Sequence, residues 1–81
     1  MPDPNTDTAV LQTITQLVHE EQTLYRQENL ADRDVLRLAE IKATLDQYWD
    51  LLRQREALRE FGRDPDTAKI RPVEVVEKYE Q

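Results

Sequence analysis

Apolar side chains recur at Val10, Leu11, Ile14, Leu17, Val18, Leu24 and Tyr25, in steps of three, four and seven that gather on one side of an α-helix. Glu21 alone interrupts that stripe, where an apolar residue would be expected. Thr6 or Asp7 can accept from the free amides of an opening turn, so a helix is predicted over residues 6–28. Asn29-Leu30-Ala31 is the predicted turn, residues 29–31: Asn29 tolerates left-handed backbone angles, and Asp32 brings negative charge to the start of the next helix. A second series, Val35, Leu38, Ile41, Leu45, Tyr48, Trp49 and Leu52, runs through a stretch with neither Pro nor Gly. It predicts a helix over 32–61. Gly62 ends it, because only glycine takes the left-handed cap cheaply, and Pro65 stands beyond as a breaker.

A link this short between two long helices forces an antiparallel hairpin. The second rod is the longer one, and its overhang carries Leu51, Leu52, Leu58 and Phe61, which need cover. The tail, residues 62–81, offers Ile70, Val73, Val76 and Tyr79, with Pro72 placed to open a short terminal helix. The expected organisation is a leader at 1–5 without fixed structure, followed by one all-α domain at 6–81 with its tail folded back. Both stripes are broad, as the adjacent pairs Val10/Leu11, Leu17/Val18, Leu24/Tyr25, Tyr48/Trp49 and Leu51/Leu52 show. Two rods touching along one seam leave the outer side of each stripe wet. Two hairpins pairing about a twofold axis into a four-helix bundle would cover it. Leu17, Leu24, Leu45, Tyr48, Trp49 and Leu52 are the candidate core of that homodimer.

Composition narrows the function classes. The chain has 81 residues, one glycine, no cysteine and a net charge of −6. Without cysteine there is no disulfide, thiolate zinc site or iron–sulfur cluster, which suits a reducing cytoplasm. The polar, acidic opening MPDPNTDTAV is not expected to act as a secretory signal, and no stretch approaches the apolar length of a membrane span. Charge is uneven: residues 53–71 hold six bases against four acids, while the rest of the chain is acidic. An acidic chain with one mildly basic patch is a poor partner for nucleic acid or an anionic membrane.

Candidate chemistry is sparse. A carboxylate-bridged metal site in a helical bundle needs Glu-x-x-His pairs turned inward. His19 is the only histidine, and Gln16 stands three residues before it. Glu20 and Glu21 diverge by about 100° around the helix, and Glu21 is expected either to pair with an arginine such as Arg37 or Arg33 or to sit near the bundle end in water. Serine is absent, so no serine triad is available. A single glycine excludes a glycine-rich phosphate loop. Tyr48 and Trp49 could stack a ligand, but at this spacing they read as core. No catalytic residue, cofactor or metal is expected.

The segment LDQYWDLLRQREALREFGRDPDTAKIRPVEVVEKYEQ resembles the carboxy-terminal half of the domain of unknown function 2630 family of small bacterial proteins. The resemblance rests on Leu45-Asp46-Gln47, Trp49 to Arg55, Gly62, Asp64-Pro65-Asp66, Arg71-Pro72, Glu77 and Tyr79. Leu17, Val18, Glu20 and Glu21 extend it more loosely into the first half. It implies a short helical protein with no assigned activity. Tyr48 stands where the family often has cysteine, and Gln22 where a histidine often follows the two glutamates, so chemistry through those side chains would not carry over.

The leading expectation is a non-enzymatic interaction or scaffolding protein that acts as a homodimer. Its docking surface would be the polar end formed by Arg55, Arg59, Arg63, Asp64, Asp66 and Arg71, offered to a protein partner. The alternative is a regulatory module in which Arg53, Arg55, Arg59 and Arg71 hold a phosphate or carboxylate.

Overall fold

The computed structural model describes the backbone of residues 6–79 and the side chains of 6–76. The expected leader and the Tyr79 side chain fall outside the described residues. The described chain is helical with no strand: α1 spans Asp7–Tyr25, α2 spans Asp32–Glu60, a single 3₁₀ turn covers Pro65–Thr67, and α3 spans Val73–Tyr79. α1 and α2 form the antiparallel hairpin, and α1, the 3₁₀ turn and α3 each pack on α2 rather than on one another. The long helix is therefore the spine of the fold.

The ends of the helices follow from local chemistry. Thr6, not Asp7, caps α1, its hydroxyl accepting from the Ala9 amide at 3.2 Å. α1 stops three residues before the expected end. Arg26 caps it in a right-handed conformation, and no residue other than glycine has a positive φ among those described. Asn29 therefore does not close the helix as expected, and the link between the two helices is longer than expected. Asp32 brings its negative charge to the first turn of α2 as expected, and the carboxylate of Asp34 also steadies that start by accepting from the Ala31 amide at 3.1 Å.

At the far end of α2 the expected glycine cap is present. Gly62 has a φ of +70°, the Gly62 amide donates to the Arg59 carbonyl, and the Arg63 amide reaches back to the Leu58 carbonyl at 2.8 Å. This paired geometry satisfies two carbonyls of the last turn and turns the chain back along the helix. Asp64 then caps the 3₁₀ turn, accepting from the Asp66 amide at 2.9 Å, with Pro65 as its first residue. Pro72 precedes α3, and its carbonyl accepts from Val75 and Val76.

The core lies where both faces of α2 meet their covers. Val10, Ile14 and Leu24 from α1 meet Ile41, Leu45 and Leu51 from α2, and Ala68 from the tail closes the same cluster. Leu17, Val18, Leu38, Tyr48, Leu52 and Leu58 pack against it partly buried. The tail does fold back on its own chain, but through Ala68 and Val76; Ile70 remains exposed. Of the overhang residues, Leu51 is fully covered and Phe61 is 80% exposed.

The residues expected at the dimer core are placed as follows. Leu24 and Leu45 are buried within a single chain, and Leu17, Tyr48 and Leu52 lean on that same core. Trp49 alone of the six is exposed, at 45%.

Gly62 separates backbone strain from crowding, because a Cβ built there would meet nothing within 4 Å. Gly62→Ala should therefore cost about 1 kcal/mol from the left-handed backbone alone, and Gly62→Asn less. Chemical denaturation of the two variants measures this; equal stability of Gly62→Ala and wild type would contradict it.

Candidate interaction surface

On the side of α2 turned from α1, Gln47, Asp50 and Gln54 succeed one another in steps of three and four, so they form one polar row. That row holds the extended segment between the 3₁₀ turn and α3. Gln47 donates to the Arg71 carbonyl at 3.0 Å. The Gln54 amide donates to the Lys69 carbonyl at 2.8 Å and accepts from its amide at 3.5 Å. Asp50 is 2% exposed and takes the Arg71 guanidinium on both oxygens, Nε at 2.8 Å and Nη2 closer still. A further hydrogen bond from Gln54 at 2.9 Å completes it. The Arg71 hydrogen bonds, then that of Gln54, hold the Asp50 carboxyl below its ordinary range.

Arg55 sits one step further on, 4% exposed. Its Nε donates to Asp7 at 2.5 Å, and Nη1 donates to the Pro65 carbonyl and the Asp66 carboxylate, each at 3.1 Å. Three segments distant in sequence thus meet on one planar cation: the first turn of α1, α2 and the 3₁₀ turn. A guanidinium suits this better than an ammonium because its donors point along a rigid fork. Burial works against the charge, but the hydrogen bonds with Asp7 and Asp66 outweigh it and raise the Arg55 pKa. Asp7 in turn is held below its ordinary value, chiefly by the Arg55 hydrogen bond. Among the described residues no buried side-chain nitrogen or oxygen lacks a hydrogen-bond partner.

The six residues expected to form a docking surface are therefore divided. Arg55 and Arg71 bind carboxylates of their own chain, and Asp66 is the counter-ion of Arg55. Asp64 is spent on capping. Arg59 reaches Asp7 at 2.9 Å while remaining exposed, and Arg63 lies exposed beyond the cap. The physical reason is the packing of the chain on itself: the hairpin brings Asp7 against Arg55 and Arg59, and the tail's fold-back brings Arg71 to Asp50 and Asp66 to Arg55. The sequence reading did not use Asp7 and Asp50 as arginine partners. Asp50 carried a signal, being the one charge inside Tyr48-Trp49-Asp50-Leu51-Leu52. Asp7 carried none, since its partner lies 48 positions away.

Glu21 does not take Arg37 either. The pair forms with Glu20, in a two-pronged contact at 2.6 and 3.0 Å, and Glu40 adds a third hydrogen bond at 3.2 Å. His19 is exposed. Among the described residues no three His, Asp or Glu side chains converge as metal ligands, and no described helix is long and apolar enough to cross a membrane.

The surface left unsatisfied is apolar rather than charged. Leu11, Val18 and Tyr25 recur every seven residues, each one position after a core residue of α1; Trp49 follows Tyr48 on α2, and Val35 lies 14 residues before it. Positions about 100° past the contact line on each rod of an antiparallel pair fall on the same side of the pair. These five residues accordingly line one flank of the hairpin, away from the tail. Leu11, Tyr25, Val35 and Trp49 are among the most exposed large apolar side chains.

Comparison with known proteins gives a consistent picture. The profile of the family described as protein of unknown function, DUF2630, matches residues 6–81. The chain belongs to this family. It is 45% identical over 80 residues to uncharacterized protein Rv0898c of Mycobacterium tuberculosis, covering 91% of this chain and 90% of the relative. Uncharacterized protein Mb0922c of Mycobacterium bovis matches to the same extent. No solved structure matches. In this DUF2630 chain, most of the polar residues that carry the family resemblance, Gln47, Asp50, Gln54, Arg55, Asp64, Asp66 and Arg71, are those that pin the tail.

Acidification tests that pinning. Asp7 and Asp50 have lowered pKa values in the fold, so their contribution is fully present above the ordinary carboxylate value and is lost as pH falls through the folded values. Thermal melts followed by circular dichroism should therefore show stability dropping as pH falls below the ordinary carboxylate value of about 4. Asp50→Asn should lose about 1–3 kcal/mol at neutral pH and show a shallower acid loss. An identical acid profile in the variant would contradict the assignment.

Proposed function

We propose that this protein is a non-enzymatic interaction module that works as a homodimer, two hairpins closing their apolar flanks into a four-helix bundle. The observation that carries this reading is the alignment of Leu11, Val18, Tyr25, Val35 and Trp49 on the one side of the hairpin that the tail leaves open. Exposed apolar surface of this kind marks association sites, and the charged Lys42 lies within the row, seven residues from both Val35 and Trp49 on α2. A second hairpin offers a matching flank of equal length, as an isologous contact requires. The absence of cysteine supports a place in the reducing cytoplasm.

The charged end then has a different part from the one its composition suggests. Asp7, Asp50 and Asp66 already occupy the fork of Arg55, the exposed side of Arg59 and the guanidinium of Arg71. An anion there would have to displace carboxylates supplied by the fold itself. While the tail stays docked, recognition of a further protein partner is then left to the rim of the closed flanks.

Trp49 is the only tryptophan and lies on that flank, so its emission reports association directly. A dilution series should shift the emission to the red as dimers separate, and sedimentation equilibrium should track the same transition. Trp49→Glu should remove the dimer while changing hairpin stability by less than about 1 kcal/mol, as expected for an exposed site. Emission and sedimentation that both stay at monomer values across the series would contradict the proposal.

A further inference from the structure

The face of α2 under the tail holds residues 68–72 as a receptor holds a peptide. Gln54 grips the main chain of Lys69 through both its amide and its carbonyl, and Gln47 donates to the Arg71 carbonyl. Bonds of this kind take the backbone of any residue in an extended segment, and pockets for particular side chains then add selectivity. Three side chains are read here. Arg71 lies in the two-pronged grip of the buried Asp50, Ala68 is buried in the core cluster, and Val76 is buried where α3 packs on α2. Lys69 and Ile70 are exposed between them. The face thus selects a small residue, an arginine three places on, and a valine five places beyond that.

The hold on this segment is modest. Of residues 68–76 only Ala68 and Val76 are buried, while Ile70 and Val75 remain 43% and 38% exposed. A segment anchored by so few buried apolar groups opens locally well before the whole domain unfolds. Opening from Ala68 onward leaves the 3₁₀ turn in place, with the Pro65 carbonyl and Asp66 still on Arg55. The hairpin and its buried cation therefore persist while Gln47, Asp50 and Gln54 come free.

We propose that Gln47, Asp50 and Gln54 form a binding site for an extended, arginine-bearing segment of a partner protein, and that residues 68–76 fill it in cis as an autoinhibitory strap. The segment already in place defines the occupant. A partner segment of the same chemistry remakes each contact, so exchange costs only the advantage of the tether. Charge favours the same class: residues 67–73 carry Lys69 and Arg71 and no acid, and the chain they would approach carries −6. The short tether keeps the strap at an effective concentration on the order of millimolar. A free segment therefore enters only when the strap is loosened or when further contacts raise its own affinity. The site lies across α2 from the apolar flank and does not depend on the dimer reading.

A labelled peptide of residues 67–79, Thr-Ala-Lys-Ile-Arg-Pro-Val-Glu-Val-Val-Glu-Lys-Tyr, tests this when titrated with full-length chains and followed by fluorescence anisotropy. Arg71→Ala and Val76→Asp loosen the strap from two different points and leave Gln47, Asp50 and Gln54 unchanged. Each variant chain should bind the peptide roughly tenfold tighter than wild type, whose own strap competes. The Arg71→Ala form of the peptide should bind those chains roughly tenfold more weakly, as loss of a charge-assisted pair predicts. If neither variant chain takes up the peptide at about 1 mM, the effective concentration of the strap itself, the site is overturned. Equal binding of the two peptides overturns the reading of arginine, and wild type binding as tightly as the variants overturns the strap.

Discussion

A cation buried at the meeting point of three chain segments governs this fold. Arg55 lies almost wholly out of water, and a guanidinium in that position is tolerated only while carboxylates and carbonyls surround it. Asp7 does so from the first turn of α1, and Asp66 and the Pro65 carbonyl do so from the 3₁₀ turn. Folding α1 without the tail, or the tail without α1, would leave the charge incompletely paired. The hairpin and its fold-back are therefore coupled through one side chain, with Asp50 and Arg71 repeating the arrangement a little over one turn away along α2.

That coupling reverses the roles that charge and grease suggest at first sight. The arginine-laden segment looks like a docking surface and is an internal clasp. The leucine-rich stripes look like a dimer seam, and most of them are covered by the chain's own helices and tail. What the chain's own packing leaves exposed is much of the apolar set one position off the core: Leu11, Tyr25, Val35 and Trp49. A small domain with a modest apolar core gains rigidity from such a polar clasp. Its open flank stays free for association because the tail lies on the other side of α2.

Much of the fold was legible in the sequence because it depends on local rules. Helical periodicity placed both rods within a few residues, Gly62 and Pro65 marked the reversal, and the Asp64 cap followed from residue type. The end of α1 was misread because Asn29 permits a left-handed cap without requiring one, and the chain uses a right-handed exit at Arg26. The site was less legible. Its geometry depends on contacts between residues 7 and 55 or 50 and 71, and no periodicity reports which carboxylate will meet which arginine. Charge count therefore pointed at the surface, whereas the long-range pairing turns Arg55 and Arg71 inward. The open flank was half visible: Leu11, Tyr25 and Trp49 were assigned to the stripes, but only the packed geometry shows that they lie just outside the seam.

Hydrogen–deuterium exchange on Arg55→Gln, compared with wild type, tests the coupling most directly. If Arg55 joins the three segments, exchange should quicken together in the first turn of α1 and in the segment from Asp64 to Arg71, while the middle of the hairpin around Ile14 and Ile41 stays protected. Faster exchange at only one of those two places, or at neither, would show that the helices and the tail are held independently.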